Sequence, residues 1–105
     1  MNVARKYNSS LRPTPVLVEA ALERLGKRFW MARKLRGFTQ QELADLADVS
    51  LSTLRALEAG ADGVALGNAL KVFQALDLLG QIDQLLDPQV DPQSVTFAER
   101  TLKVR

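Results

Sequence analysis

The sequence predicts an all-α fold of five helices, and three observations carry that expectation. Between Thr39 and Gly60 the chain reads T-Q-Q-E-L-A-D-L-A-D-V-S-L-S-T-L-R-A-L-E-A-G. This is two short helix patterns joined by a turn too tight to let them do anything but cross. On either side, apolar residues recur at steps of three and four, the spacing of one helix face. Start and stop signals then bracket each of these runs.

The first helix begins at Thr14-Pro15, a hydroxyl N-cap followed by proline at the first helical position. Val18, Leu22, Leu25, Phe29 and Ala32 line one face, with Gly26 among them allowing close packing or a kink. Arg36-Gly37 ends the helix, with cations in its last turn and glycine as a left-handed cap. Thr39 caps the second helix, and Glu42, three residues on, completes a capping box. Leu43, Ala44 and Ala47 supply its buried side. Asp48-Val49 makes the turn, and Asp48 is among the few non-glycine types that enter the left-handed region without large strain. Ser50 caps a third helix whose Leu54 and Leu57 point inward. After a loop over 60–64, a fourth helix over roughly 65–78 carries Leu66, Ala69, Leu70, Phe73 and Leu76.

Leu78, Leu79, Ile82, Leu85 and Leu86 follow, interrupted by Gly80. This exceeds the apolar surface that a short terminal helix hides against its own domain. Segment 78–86 therefore reads as a dimerisation element or, alternatively, as the piece that closes the monomer core. Asp87-Pro88 stops the helix, and the near-repeat Asp-Pro-Gln at 87–89 and 91–93 reads as a linker. Residues 94–105 mix strand and helix preferences. The expected division is a flexible basic arm over 1–13, a helical domain with its dimerisation helix over 14–86, and a linker and tail over 87–105.

With 105 residues, 47% of them hydrophobic and 25% charged, the chain has the composition of one ordinary globular domain. It holds no cysteine and no histidine, which removes disulfides, thiolate zinc sites, Cys nucleophiles and His general bases. No catalytic residue, metal or other cofactor is expected. No run approaches a membrane span and no signal peptide is evident, so a cytoplasmic location is expected. The net charge of +2 hides an asymmetry. Residues 1–36 hold nine Lys/Arg against Glu19 and Glu23, whereas residues 37–99 hold Arg55 and Lys71 against ten acids. One end of the molecule suits a polyanion and the other does not.

Crossed helices of this kind are how proteins push one helix into the major groove of DNA. Ala44 stands where the helices cross, and a larger side chain would separate them. Leu51, Ser52, Arg55 and Ala56 fall away from the Leu54/Leu57 side and would face the bases. Arginine commonly reads guanine O6 and N7. Ser52 suits base or phosphate, and Leu51 and Ala56 offer apolar contact only, so part of any specificity would come from DNA shape. Gln40 and Ser50, with Gln41 beside them, lie at helix N-termini, where free N–H groups attract phosphate.

At these residues the chain resembles the phage-repressor (XRE-type) helix-turn-helix family, over about residues 25–78. The likeness rests on Arg33 through Gly37, Thr39-Gln40-x-Glu42-Leu43-Ala44, Val49-Ser50, Thr53-Leu54 and Leu57-Glu58-x-Gly60. It implies phosphate contacts at Gln40 and Ser50, base-facing positions at Leu51, Ser52, Arg55 and Ala56, and an internal ion pair between Arg33 and Glu58. Two positions depart from the pattern: Asp48, where glycine is usual, and Leu51, where a polar reader is common. Residues 57–66 and 70–78 are similar to the HipB-like antitoxins, dimeric repressors that bind an operator in their own promoter and hold a HipA-type kinase toxin. The resemblance thus implies a homodimer on a pseudo-palindromic DNA operator, with recognition helices about 34 Å apart. Other readings are a regulator of this type without a toxin and a protein-interaction adaptor that has lost DNA binding.

Overall fold

A computed structural model describes residues 12–102. Most of the arm expected over 1–13, and residues 103–105 of the tail, lie outside the described residues. Among the described residues five α-helices follow one another: α1 (Val16–Leu35), α2 (Gln40–Ala47), α3 (Leu51–Glu58), α4 (Leu66–Ala75) and α5 (Pro92–Leu102). A 3₁₀ helix, Leu79–Gln84, lies between the last two, and the described residues contain no strand.

The core forms where α1 to α4 converge. Phe29 comes from α1, Leu43, Ala44 and Ala47 from α2, Leu54 and Leu57 from α3, and Val72 and Leu76 from α4. Leu43, Ala44, Leu54 and Val72 are fully buried. Ala44 sits at the crossing, where the absence of a longer side chain lets α2 and α3 approach. Phe29 meets Phe73 edge to face, with ring centroids 5.0 Å apart and planes at 76°, an arrangement the ring quadrupoles favour.

Each of the four core helices ends in the same way. A residue in the left-handed region follows the last turn, and two amides fold back onto carbonyls near the helix end. Gly37 (φ 74°) serves α1, Asp48 (φ 56°) α2, Gly60 (φ 77°) α3 and Asp77 (φ 61°) α4. After α2, for example, the Val49 amide donates to the Ala44 carbonyl at 3.0 Å. At the other end of α2 the capping box is complete. The Glu42 amide donates to the Thr39 hydroxyl at 3.0 Å, and the Thr39 amide to the Glu42 carboxylate at 2.9 Å. These bonds to Thr39, that from its amide foremost, hold the Glu42 carboxyl below its ordinary value of 4.5.

The junction of α1 with the C-terminal end of α3 is made by backbones. A Cβ on Gly26 would stand 2.5 Å from the Glu58 carbonyl oxygen and 2.9 Å from the Gly60 nitrogen. One on Gly60 would stand 3.0 Å from the backbone of Glu23. Beside this contact, Arg33 Nε donates to Glu58 Oε2 at 2.7 Å and Arg33 Nη2 to Glu58 Oε1 at 3.0 Å. Both side chains are almost wholly buried, at 6% and 5% exposure. The remaining guanidinium arm donates to the Phe38 carbonyl at 2.8 Å.

Several elements depart from the sequence reading. Pro15, not Thr14, occupies the N-cap position of α1, and the Thr14 hydroxyl donates to Asp62 in the loop after α3. Val18 and Leu25 lie at the edge of the packed face and remain 47% and 38% exposed. In α4 Ala69, Phe73 and Leu76 pack as expected and Val72 joins them at the centre of the stripe, while Leu66 is 74% exposed. Segment 78–86 is a 3₁₀ helix with flanking turns, in which Leu78 packs against the core. The second Asp-Pro-Gln is a helix start. Asp91 accepts from the Gln93 amide at 3.0 Å and the Ser94 hydroxyl at 2.6 Å, with Pro92 at the first position of α5. The first cannot start one, because Pro92 follows too closely and disfavours helical backbone at Asp91.

Three outcomes follow for stability. Gly26→Ala should lower it by about 2–3 kcal/mol, an overpacking cost with no flexible neighbour to yield, read as a fall in the urea midpoint; an unchanged midpoint would contradict the contact. Arg33→Met should cost about 3–5 kcal/mol because it strands a buried carboxylate, and Glu58→Leu added to it should recover much of that loss. The capping-box contribution is present above the ordinary glutamate range and fades as pH falls through the lowered Glu42 value. Glu42→Gln should therefore flatten the acid limb of a pH–stability profile.

Candidate nucleic-acid interface

An eight-residue helix is too short to persist alone, so α3 exists because its back is held. Leu54 and Leu57 anchor it in the core, Ser50 caps it by accepting from the Thr53 amide at 3.0 Å, and the Gly60 turn closes its other end. What remains is an outward face. Ser52 and Arg55 on it are exposed, and Leu51 and Ala56 are half-buried at its margins. These four positions lie together on one surface.

The N-terminus of α2 borders that surface. Gln41 is exposed and donates along its own helix to Asp45 Oδ1 at 2.9 Å. The Ser50 hydroxyl is engaged within α3, donating to Thr53 Oγ1 at 2.8 Å. Gln40 is tied in both directions. Its Nε2 donates to Glu58 Oε1 at 3.2 Å, and its Oε1 accepts from Arg55 Nε at 3.3 Å. A continuous hydrogen-bonded chain therefore runs from the buried guanidinium of Arg33, through Glu58 and Gln40, to the exposed guanidinium of Arg55. Arg55 is thus exposed on the protein surface with its Nε occupied by Gln40.

Sequence reasoning did not find this chain. Gln40 lies 18 residues from Glu58 and 15 from Arg55, separations at which no local periodicity signals contact. Lys71 of α4 carries no role in the sequence reading; its ammonium donates to the Asp48 carbonyl at 3.4 Å.

The basic residues divide into two sets. Arg33 is consumed inside the protein, and Arg36 donates to the Ala32 carbonyl at 2.8 Å. Arg24, Lys27, Arg28 and Lys34 are exposed along α1. Among the described residues no helix is long and apolar enough to cross a membrane.

A search of curated proteins finds no match to the chain. Residues 31–79, a little under half of its length, match a family model described as helix-turn-helix. They run from the last turns of α1 to the start of the 3₁₀ helix and so include every residue of the chain from Arg33 to Arg55. With the crossed α2 and α3, the left-handed turn between them and the exposed face of α3, this segment has the architecture of a helix-turn-helix unit and is similar to that family.

Proposed function

We propose that the chain is a sequence-specific repressor that binds a pseudo-palindromic DNA operator as a homodimer. The observation that carries this reading is the mounting of Arg55. Its Nε is held by Gln40, and the arginine is exposed on the outer face of α3. A guanidinium fixed at one edge still offers the two parallel donors that guanine O6 and N7 require. Ser52 adds a short hydroxyl beside it, and Leu51 and Ala56 supply the apolar margins. The first-turn amides of α2 and α3, with Gln41 and Ser50 at their entries, receive phosphates. Gln40 combines a place in that first turn with the positioning of Arg55.

For the dimer, the support is apolar surface after the core. Leu79, Leu85 and Leu86 are 41%, 66% and 91% exposed, and Ile82 is half-buried. Leu78 belongs to the domain's own packing, so it contributes from beneath. We further assign the protein as the antitoxin of a two-gene module with a HipA-like kinase toxin as partner. This rests on the likeness of residues 57–66 and 70–78, and a kinase gene co-transcribed with this one would bear on it directly.

Selection of sites from a random DNA duplex library by the purified protein, near physiological salt because phosphate binding is salt-sensitive, tests the core of the reading. An enriched inverted repeat with half-sites one helical turn apart is expected. Failure to enrich any site would favour the adaptor reading, for which the half-buried Leu51 at a usual polar-reader position speaks. On the selected operator, Arg55→Ala should cost about 1–3 kcal/mol while leaving affinity for random DNA nearly unchanged. Gln40→Ala should weaken both and reproduce part of the operator-specific loss; equal losses on the two DNAs would remove its positioning role.

A further inference from the structure

Among the described residues, two surfaces of the chain lack a partner within it. The first is the outward side of α1. Leu17, Ala21, Arg24, Arg28, Met31 and Leu35 recur at alternating steps of four and three. They form a second stripe on the helix, opposite the packed one of Leu22, Gly26, Phe29 and Arg33. All six are exposed, Leu17 by 83%, Met31 by 55% and Leu35 by 78%. Trp30 stands alongside at 47% exposure, with the Lys34 ammonium 5.9 Å over its ring.

The second surface is the stretch after α4. No Lys or Arg occurs from residue 72 to residue 99, while Asp77, Asp83, Asp87 and Asp91 recur through it. Between them Leu85, Leu86 and Val90 are 66%, 91% and 76% exposed. Leu86 is held at φ 56°, a backbone conformation that costs a leucine energy and is retained where the surroundings require it.

The two surfaces match in kind and oppose in charge. Among the described residues they do not pack on each other: α1 packs against α3, and the 3₁₀ helix against α4. Phosphates alone do not account for the α1 stripe, because they engage its cations and leave its large apolar side chains wet. Trp, Met and Arg together are the residues that protein interfaces enrich. A second copy of the same stripe is also a poor occupant, since Arg24 and Arg28 at its middle would meet like charges.

We propose that the α1 stripe is covered by the acidic 77–91 segment of a second copy of this chain, each protomer docking its segment on the other's α1 across a two-fold axis. The exchange is closed and self-complementary. It rests on the homodimer reading above and specifies it: the leucines after α4 meet α1 of the partner rather than their own counterparts.

Two charge-reversed proteins test it in sedimentation, with circular dichroism verifying their helix content: Arg24→Glu with Arg28→Glu, and Asp83→Lys with Asp87→Lys. The unaltered protein is expected to be a dimer that salt weakens. Each variant alone should dimerise about a hundredfold more weakly or worse, since like charges then face each other. An equimolar mixture should form heterodimers, because both docking contacts regain opposite charges. A monomeric unaltered protein would overturn the proposal together with the dimer reading. Variants that dimerise normally, or a mixture that stays monomeric, would overturn the proposal alone. The absence of native cysteine allows a second measurement that places no reversed charge on either surface. Chains carrying Met31→Cys and chains carrying Leu86→Cys should cross-link to each other on oxidation; cross-linking only between identical chains would contradict the exchange.

Discussion

The α1–α3 junction is the constraint on which the rest depends. Gly26 and Gly60 let two backbones touch, and the Arg33–Glu58 pair closes the side of that contact. The contributions differ in kind. The glycine contact sets a distance, because any side chain there would meet carbonyl and amide atoms that cannot move aside. The ion pair sets a direction, because a two-point guanidinium–carboxylate contact admits one relative orientation. Its net contribution to stability is small, since burying two charges costs about as much as their attraction returns. Its value lies in registering α3 on α1.

Registration matters because α2 and α3 have eight residues each and little helical stability of their own. Their amides and carbonyls are satisfied at the ends by caps and reversals, and their inner faces by Leu43, Ala44, Leu54 and Leu57. Asp48 and Asp77 stand at two of the four left-handed helix ends, each at some conformational cost that glycine would avoid. At Asp48 the Lys71 ammonium contacts the backbone of the turn. The outer face of α3 is thereby presented by a framework that does not depend on the residues that face belongs to. From Arg33 the same framework extends by hydrogen bonds to Arg55, so the core ion pair and the outward arginine share one polar network.

Charge follows the same division of labour. Cations that serve structure are buried or bonded to carbonyls, as with Arg33 and Arg36, while those along the outer side of α1 stay in solvent. Acids serve helix starts beyond α1: Glu42 at α2 and Asp91 at α5, the latter held below its usual range by the Ser94 hydroxyl and then the Gln93 amide. The molecule is consequently basic along α1 and acidic beyond α4, a polarity that a net charge of +2 conceals.

Local chemistry made much of this legible from sequence. Thr39 and Glu42 specify a helix start by themselves, Gly37 and Asp48 specify reversals, and steps of three and four identify inner faces, because each signal acts within one or two turns. Signals of that range failed where two nearby candidates competed. Thr14 resembled a cap until Asp62 gave it another partner, and the row Leu66–Leu70 outshone the less conspicuous Val72. Segment 78–86 carried helical leucines but lacked a surface on which an α-helix could settle, and the second Asp-Pro-Gln began a helix that the first could not. The sequence by itself therefore determined α1 to α4, the capping box of α2 and the tight turn between α2 and α3. Only the tertiary structure decided that Gln40 joins Glu58 to Arg55 and that Gly26 receives Glu58. Those contacts link residues 15 to 32 positions apart, and distances of that order are set by how whole helices pack.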